Sequence, residues 1–364
     1  MKKNQLVTLG KHIDILSGCA FPSSGFNRNN GVPLIRIRDI LSGKTETYYE
    51  GSYDLKYLIK KGDLLVGMDG DFNREYWKGT DALLNQRVCK ITPNPETLDK
   101  NFLYHFLQKE LDKIHATTDV VTVKHLSVKK IQDIKIRLPS LKEQKRIATI
   151  LDKADAIRQK REQAIKLADD FLRAKFLEMF GTPANNIHRF PKGTIRDLVD
   201  SVNYGTSAKA SIDSGEYPIL RMGNITYQGR WDFTDLKYLD LSVKEKDKYL
   251  VKEGDLLFNR TNSKELVGKT AVYEEDRPMA FAGYLIRVRP NSIGNNYYIS
   301  GYLNSIHGKI TLMNMCKSIV GMANINAQEL QNIEILIPPK HLQDEYEIIY
   351  KKIKKGLSIY DKSA

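Results

Sequence analysis

Along most of the chain, apolar and polar residues alternate in short bursts, and one long stretch in the middle follows a different period. Leu34 to Ile40, Leu64 to Gly67 and Val88 to Ile91 alternate with a period near two between Gly, Asn and Asp turns, which predicts strands. From Asn101 to Ile114 the apolar positions Phe102, Leu103, Phe106, Leu107, Leu111 and Ile114 share one helical face. A shorter helix is predicted over Ser127 to Gln132, with Ser127 as its N-cap. The strand Ile134 to Leu138 then stops at Pro139, which offers a sheet no backbone donor.

The same phrases return in the second half, in the same order. Pro33 to Ile40 is answered by Pro218 to Ile225 at an offset of 185. Lys61-Gly62-Asp63-Leu64-Leu65 returns as Glu253-Gly254-Asp255-Leu256-Leu257, 192 positions on. The strand at Val88 with Pro93-Asn94 matches that at Leu285 with Pro290-Asn291, offset 197. Leu126 to Ile134 matches Ile325 to Ile333, offset 199. Kept order with a slowly drifting offset is what a tandem duplication with loop insertions produces.

Between the copies, Leu141 to Phe180 contains neither Gly nor Pro. Its apolar residues Ile147, Ile150, Ala154, Ile157, Ala164, Ala168, Phe171 and Leu172 predict a helical seam, ended by Gly181-Thr182-Pro183. Such a helix is a rod of roughly 60 Å. A narrow apolar stripe on it needs a partner helix. The segment Leu342 to Ile359, with Tyr346, Ile349, Ile353 and Leu357, supplies one. The expected fold is therefore α+β: two tandem-duplicated α/β domains separated by a long helix that pairs antiparallel with a C-terminal helix. The expected boundaries are 1–139, 140–185 for the helix and linker, 186–338, and 339–364.

Composition narrows the function. The net charge of +13 is spread through the chain rather than gathered in a tail, which points to a polyanionic partner. No stretch approaches the roughly 18 apolar residues of a membrane span, and the basic start runs into too short an apolar segment for a signal peptide, so a cytoplasmic protein is expected. Cys19, Cys89 and Cys316 are far apart and form no metal-ligand spacing; Cys89 reads as a reduced, half-buried strand cysteine.

Catalytic motifs do not emerge. Gly268-Lys269-Thr270 resembles the end of a P-loop, but Ser263 stands where the leading glycine is needed. There is no HExxH, no glycine-rich nucleotide fingerprint and no Asn-Pro-Pro-aromatic motif. No catalytic residue, metal ligand or bound cofactor is therefore expected. What the chain offers instead is long polar side chains on turn-rich loops that follow equivalent strands. These are Asn73 and Arg74 in the first copy, and Asn259, Arg260, Asn262 and Lys264 in the second. Arg suits guanine and Asn or Gln suits adenine in the major groove. Turn geometry accounts for Asn and Gly at these places equally well. Arg36, Arg38 and Arg221 alternate with apolar residues and suggest a basic strand face. Lys78, Gln86, Arg87, Asn224 and Lys269 complete the set of candidate DNA contacts.

These features together resemble the specificity subunits of type I DNA restriction-modification systems over nearly the whole chain. The phrases that carry the resemblance are Gly62-Asp63-Leu64-Leu65, Leu83-Leu84-Asn85-Gln86-Arg87-Val88 and Leu138 to Ile147. In the second copy they are Asn259-Arg260-Thr261-Asn262-Ser263 and Gly268-Lys269-Thr270. The resemblance implies two target-recognition domains reading a bipartite duplex site, with the helix pair as ruler. It also implies two methyltransferase (modification) subunits and a restriction motor-nuclease subunit as partners, which would bind the methyl donor and nucleotide. One departure is that only 26 residues follow Pro338, whereas about 41 separate Pro139 from Gly181. A self-sufficient DNA-modifying or DNA-cleaving enzyme and a protein-only scaffold are the alternatives from other classes.

Overall fold

The alternating stretches do form strands, short ones that fill both faces of small sheets. The computed structural model describes residues 5–118, 123–319 and 322–361. The chain divides into two units, 1–159 and 160–364, and the division falls inside a continuous helix.

The first unit runs β1 (Gln5–Thr8), β2 (Ile13–Ser17), β3 (Phe26–Asn27), β4 (Val32–Ile35), β5 (Tyr48–Tyr49) and β6 (Leu58–Ile59). It continues with β7 (Leu64–Gly67), β8 (Arg74–Tyr76), β9 (Ala82–Leu84), β10 (Val88–Pro93), α1 (Lys100–Ala116), α2 (Val128–Gln132), β11 (Lys135–Leu138) and the start of α3 (Leu141–Phe180). The second unit holds the end of α3, then β12 (Lys192–Thr194), β13 (Val199–Tyr204), β14 (Tyr217–Leu220), β15 (Lys237–Leu239), α4 (Val243–Tyr249) and β16 (Leu250–Val251). Next come β17 (Leu256–Asn259), β18 (Thr261–Asn262), β19 (Thr270–Val272), β20 (Met279–Phe281), β21 (Leu285–Pro290), α5 (Asn296–Asn304) and α6 (Ile306–Met315). It ends with β22 (Lys317–Ile319), β23 (Met322–Asn324), α7 (Ala327–Gln331), β24 (Glu334–Leu336) and α8 (Lys340–Asp361).

The sheet orders repeat. One sheet is β2-β10-β7-β8 in the first unit and β13-β21-β17-β19 in the second. The other is β3-β5-β4-β9-β6 and β15-β14-β20-β16, with β4–β9 and β14–β20 the parallel pairs. A two-stranded ribbon closes each copy, β1 with β11 and β12 with β24. The second copy adds α4 and the small sheet β18-β23-β22.

Strand β7 and its counterpart β17 are buried at every position because both faces are covered, and the first three residues of each are apolar. Leu64 and Val66 face the helices with Leu103 and Leu107, while Leu65 joins Ile35, Trp77 and Leu84 between the sheets. Leu256 and Phe258 do the former in the second copy, and Leu257 the latter with Leu220 and Phe281. The Gly-Asp before each strand is a turn device. Gly62 and Gly254 sit at φ +91° and +87°, where a side chain would be strained. Asp63 and Asp255 each accept a backbone N–H three residues earlier, from Lys60 and Lys252, at 2.9 Å. Cys89 is fully buried on β10, and burial pushes its thiol up to about 12.

The predicted strand Leu34 to Ile40 is shorter than its alternation suggests. It ends at Ile35, and Ile37–Asp39 form a 3-10 turn. The Asp39 carboxylate accepts the Arg36 N–H at 2.9 Å, and Asn224 does the same for Arg221 at 2.8 Å before the turn Met222–Asn224. A side chain that satisfies the backbone locally replaces a ladder bond. Arg36, Arg38 and Arg221 therefore lie on capped turns and not on a basic strand face.

Helix α3 has the predicted bounds, and Gly181 at φ +66° stops it. Its seam is narrower and shifted. Ile150, Ile157 and Phe171 are about half exposed, at 52%, 55% and 48%, whereas Gln144, Ala148, Leu172, Phe176 and Phe180 are the buried positions. In the second unit α8 packs antiparallel on the end of α3. Phe176 and Phe180 meet Tyr346, near the start of α8, at 5.4 and 5.9 Å, and Asp169 and Leu172 share a cavity with Ile353 and Leu357. Each copy grips its following helix with one buried glutamine. Gln144 Nε2 donates to the Thr97 and Pro139 carbonyls at 3.0 and 2.9 Å, and Gln343 Nε2 to those of Ile293 and Pro338, both at 2.9 Å.

Candidate nucleic-acid interface

The turn after β7 and the turn after β17 carry equivalent backbone bridges with different side chains. In the first copy Asp69 bridges His125, and Met68 N–H donates to the Arg87 carbonyl at 2.8 Å. In the second, Thr261 pairs with Asn324, and Arg260 N–H donates to the Tyr284 carbonyl at 3.0 Å. The sequence offsets that relate the copies map each of these residues onto the other.

At the first position the side chains form a charged cluster. Asp69 lies 2.6 Å from His125 Nδ1 and 3.4 Å from Arg87 Nε, and Arg87 Nη1 is 3.4 Å from the same imidazole. Arg87 is exposed and its backbone is left-handed, at φ +73°, so the guanidinium stands on a tight turn with Gln86 exposed beside it. At the second position the groups are largely neutral and aromatic. Asn324 donates to Thr261 Oγ1 at 2.8 Å and accepts from Arg260 Nη2 at 3.3 Å; the Arg260 guanidinium lies 4.9 Å over the Tyr204 ring. Tyr284 is 53% exposed. Asn262 is half buried on β18, and Lys264 is exposed on the loop that follows.

The other candidates are scattered. Arg74 leaves β8 half buried with its guanidinium 3.5 Å over Tyr104, and Asn73 gives its carbonyl to Gly67 N–H. Lys78 and Arg38 are exposed, each near one carboxylate, Glu75 at 3.3 Å and Asp39 at 3.7 Å. Arg36 is exposed. Arg221 is tied to the Asp235 carboxylate at 2.8 Å. Asn224 is 3% exposed and bonds the Asp232 and Asp235 carbonyls, so it is an internal strut here. Asn259 is fully buried at the end of β17. Lys269 donates to the Met222 carbonyl at 2.8 Å, and burial lowers its ammonium below its ordinary value. Gly268-Lys269-Thr270 is thus a turn inside the domain, with Gly268 at φ +79°.

Tyr204, Tyr284, Asn324 and His125 were not marked by the sequence. Each comes from a segment far from the loop it joins, and only the internal repeat, read at the level of single residues, could have pointed to them. Among the described residues no group of His, Cys, Asp or Glu is placed to hold a metal ion, and no helix is long and apolar enough to cross a membrane.

Comparison with known proteins agrees with this architecture. A family model described as type I restriction modification DNA specificity domain matches residues 1–167 and again 190–363. The EcoBI type I restriction enzyme specificity subunit of Escherichia coli is 31% identical over 94% of this chain and 77% of its own length. The EcoKI specificity subunit of Escherichia coli K12 is 24% identical over 88% of this chain and 75% of its length. The crystal structure of a type I restriction-modification S subunit from M. genitalium shares the fold at a TM-score of 0.64, 15% identity, and coverage of 100% of this chain and 95% of that one. With both copies matched by the same model, the chain belongs to the type I restriction-modification DNA specificity family.

Proposed function

We propose that this chain is a specificity subunit in which each copy reads one half of a bipartite duplex site. The observation that carries the reading is the pair of equivalent bridges. One backbone frame presents Asp69, Arg87 and His125 in the first copy and Thr261, Tyr284 and Asn324 in the second. Two heads of one design with different polar groups select two different half-sites, because base edges in the major groove are told apart by donor and acceptor pattern. The excess of 13 positive charges supplies the sequence-independent attraction to phosphate.

Helix α3, held at its start by the first copy and at its end by the second, serves as the ruler for the gap between half-sites. The partners are two methyltransferase subunits, which act on an adenine turned out of the duplex, and a motor-nuclease subunit. Those subunits carry the methyl donor, the nucleotide and all catalytic groups, in the cytoplasm. The test is to map methylated sites in cells that carry this chain with its methyltransferase. A bipartite motif is expected, with Arg87→Ala relaxing one half only and Asn324→Ala the other half only. A contiguous motif, or variants that alter both halves together, would overturn the reading.

A further inference from the structure

We propose that Arg230 and Asp169 form a clamp that sets the angle and height of the second recognition domain on the long helix, and so the number of base pairs between half-sites. The inference rests on the bipartite reading above. Arg230 ends a tight turn, Thr226 to Arg230, closed by Thr226 N–H to the Arg230 carbonyl at 2.8 Å and by Arg230 N–H to Thr226 Oγ1 at 3.0 Å. Gly229 holds φ +78° there, and a Cβ on it would lie 2.5 Å from both Asn304 Nδ2 and the Thr270 carbonyl. The next residue, Trp231, donates Nε1–H to the Val272 carbonyl at 2.7 Å and stacks on Phe233. The arginine is therefore delivered from a turn that is fixed on both sides.

Its guanidinium reaches α3 at two points. Nη2 is 2.5 Å from Asp169 Oδ1 and 3.3 Å from the Ile165 carbonyl, one turn earlier on the helix. Both side chains are largely buried, at 21% and 15% exposure. Leu172, Phe176 and Phe180 also hold α3 in this domain, but apolar burial is non-directional and tolerates small rotations. A charge-assisted hydrogen bond to a carboxylate, together with one to the helix backbone, does not. The first copy is built otherwise. The residue 185 positions before Arg230 is Thr45, whose hydroxyl donates to the Leu34 carbonyl within its own domain. That copy grips α3 through Gln144 and through His105, 2.7 Å from Asp152.

The clamp is a positioning device, so its readout is the spacing of sites rather than activity alone. The full chain and its methyltransferase subunits are expressed with Arg230→Ala, with the milder Arg230→Lys and Asp169→Asn, and with the exchanged pair Arg230→Asp and Asp169→Arg. Methylated sites are then mapped. Wild type is expected to use one spacing. Arg230→Ala and Asp169→Asn bring sites one base pair longer or shorter about tenfold closer to the cognate spacing, a size typical of coupling between contacting residues. Both half-site sequences stay unchanged, Arg230→Lys has the smallest effect, and the exchanged pair recovers part of the discrimination. Uniform loss at every spacing in Asp169→Asn, or an unaltered single spacing in Arg230→Ala, overturns the clamp and leaves the bipartite reading standing. A wild-type motif without two halves defeats that reading itself, before any variant is considered.

Discussion

The two copies have the same strand order but hold the long helix differently. The first copy holds the start of α3 with Gln144 and Ala148, while Ile150 and Ile157, further along the helix, are about half exposed. The second copy draws the end of α3 into its core. Phe176 and Phe180 pack against Tyr298 and Tyr346, and α8 lies along the same segment. Helix α8 is itself the second copy's version of the start of α3, begun by the same buried glutamine. Duplication thus reproduced the domain and its following helix, and in the second unit that helix, α8, packs on the end of α3. The same contrast holds at the ends of the sheets, where one frame carries different chemistry.

The largest expected effect tests the contrast in packing. Phe176→Ala should cost about 3–5 kcal/mol by leaving a cavity among aromatic rings. Ile150→Ala, half exposed, should stay within about 0.5 kcal/mol. Urea unfolding of both variants checks this, and equal losses would mean that the two segments of α3 are held alike.

The turn aspartates sharpen it next. Asp255 is a buried carboxylate that Arg289 engages at 2.7 and 3.0 Å, with Arg287 at 4.0 Å; Asp63 has Lys90 at 3.1 Å and is more exposed. Asp255→Asn should cost about 3 kcal/mol, since it leaves the buried Arg287 and the half-buried Arg289 without their carboxylate. Asp63→Asn should cost about 1 kcal/mol. Thermal melts that rank them the other way would show that burial does not decide the difference.

A smaller difference is expected at the glutamines. Gln144 Oε1 also accepts Asp99 N–H at 2.8 Å, whereas Gln343 Oε1 has no partner among the described residues. Gln144→Ala should therefore be worse than Gln343→Ala by about 1 kcal/mol, the cost of one more unpaired buried group. Hydrogen exchange at the first turn of α1, where Asp99 is the N-cap, reports it locally.

The smallest effect concerns Lys309 on α6. Its ammonium has no hydrogen-bond partner among the described residues, and burial, with Arg173 and Lys269 nearby, pulls it down to about 8 from an ordinary 10.5. In the first copy the last-turn Lys113 of α1 is exposed and paired with Glu110. Below pH 8 the folded and unfolded forms are both protonated, and the burial penalty is present in full. Between 8 and 10.5 the unfolded form binds more protons, so stability rises with pH. Lys309→Met should stabilise the protein by on the order of 1 kcal/mol at neutral pH and progressively less toward pH 10. A pH-independent gain would exclude the titration of Lys309 as the cause.

Much of this was legible in the chain. The repeat, the limits of α3, the short helix capped by Ser127 and the C-terminal helix all follow from local periods and end signals, which depend on neighbours three or four residues away. Alternation through Arg36 and Arg38 predicts a longer strand than the fold contains, because a period of two cannot show that Asp39 closes a turn on the backbone. Asn224, Asn259 and Lys269 looked available for DNA, yet other segments cover them.

By itself the sequence determined that there are two copies of one mixed domain, a long helix and a polyanion-seeking charge. Periodicity records which side of an element must leave water, and duplication records itself. What fills the space on that side was decided only by the tertiary structure. The meeting of Asp69 with His125, of Arg260 with Tyr204 and Asn324, and of Arg230 with Asp169 joins residues about 55 to 65 positions apart. Such contacts form only when packed elements deliver both partners, and no local pattern encodes the address of a distant side chain.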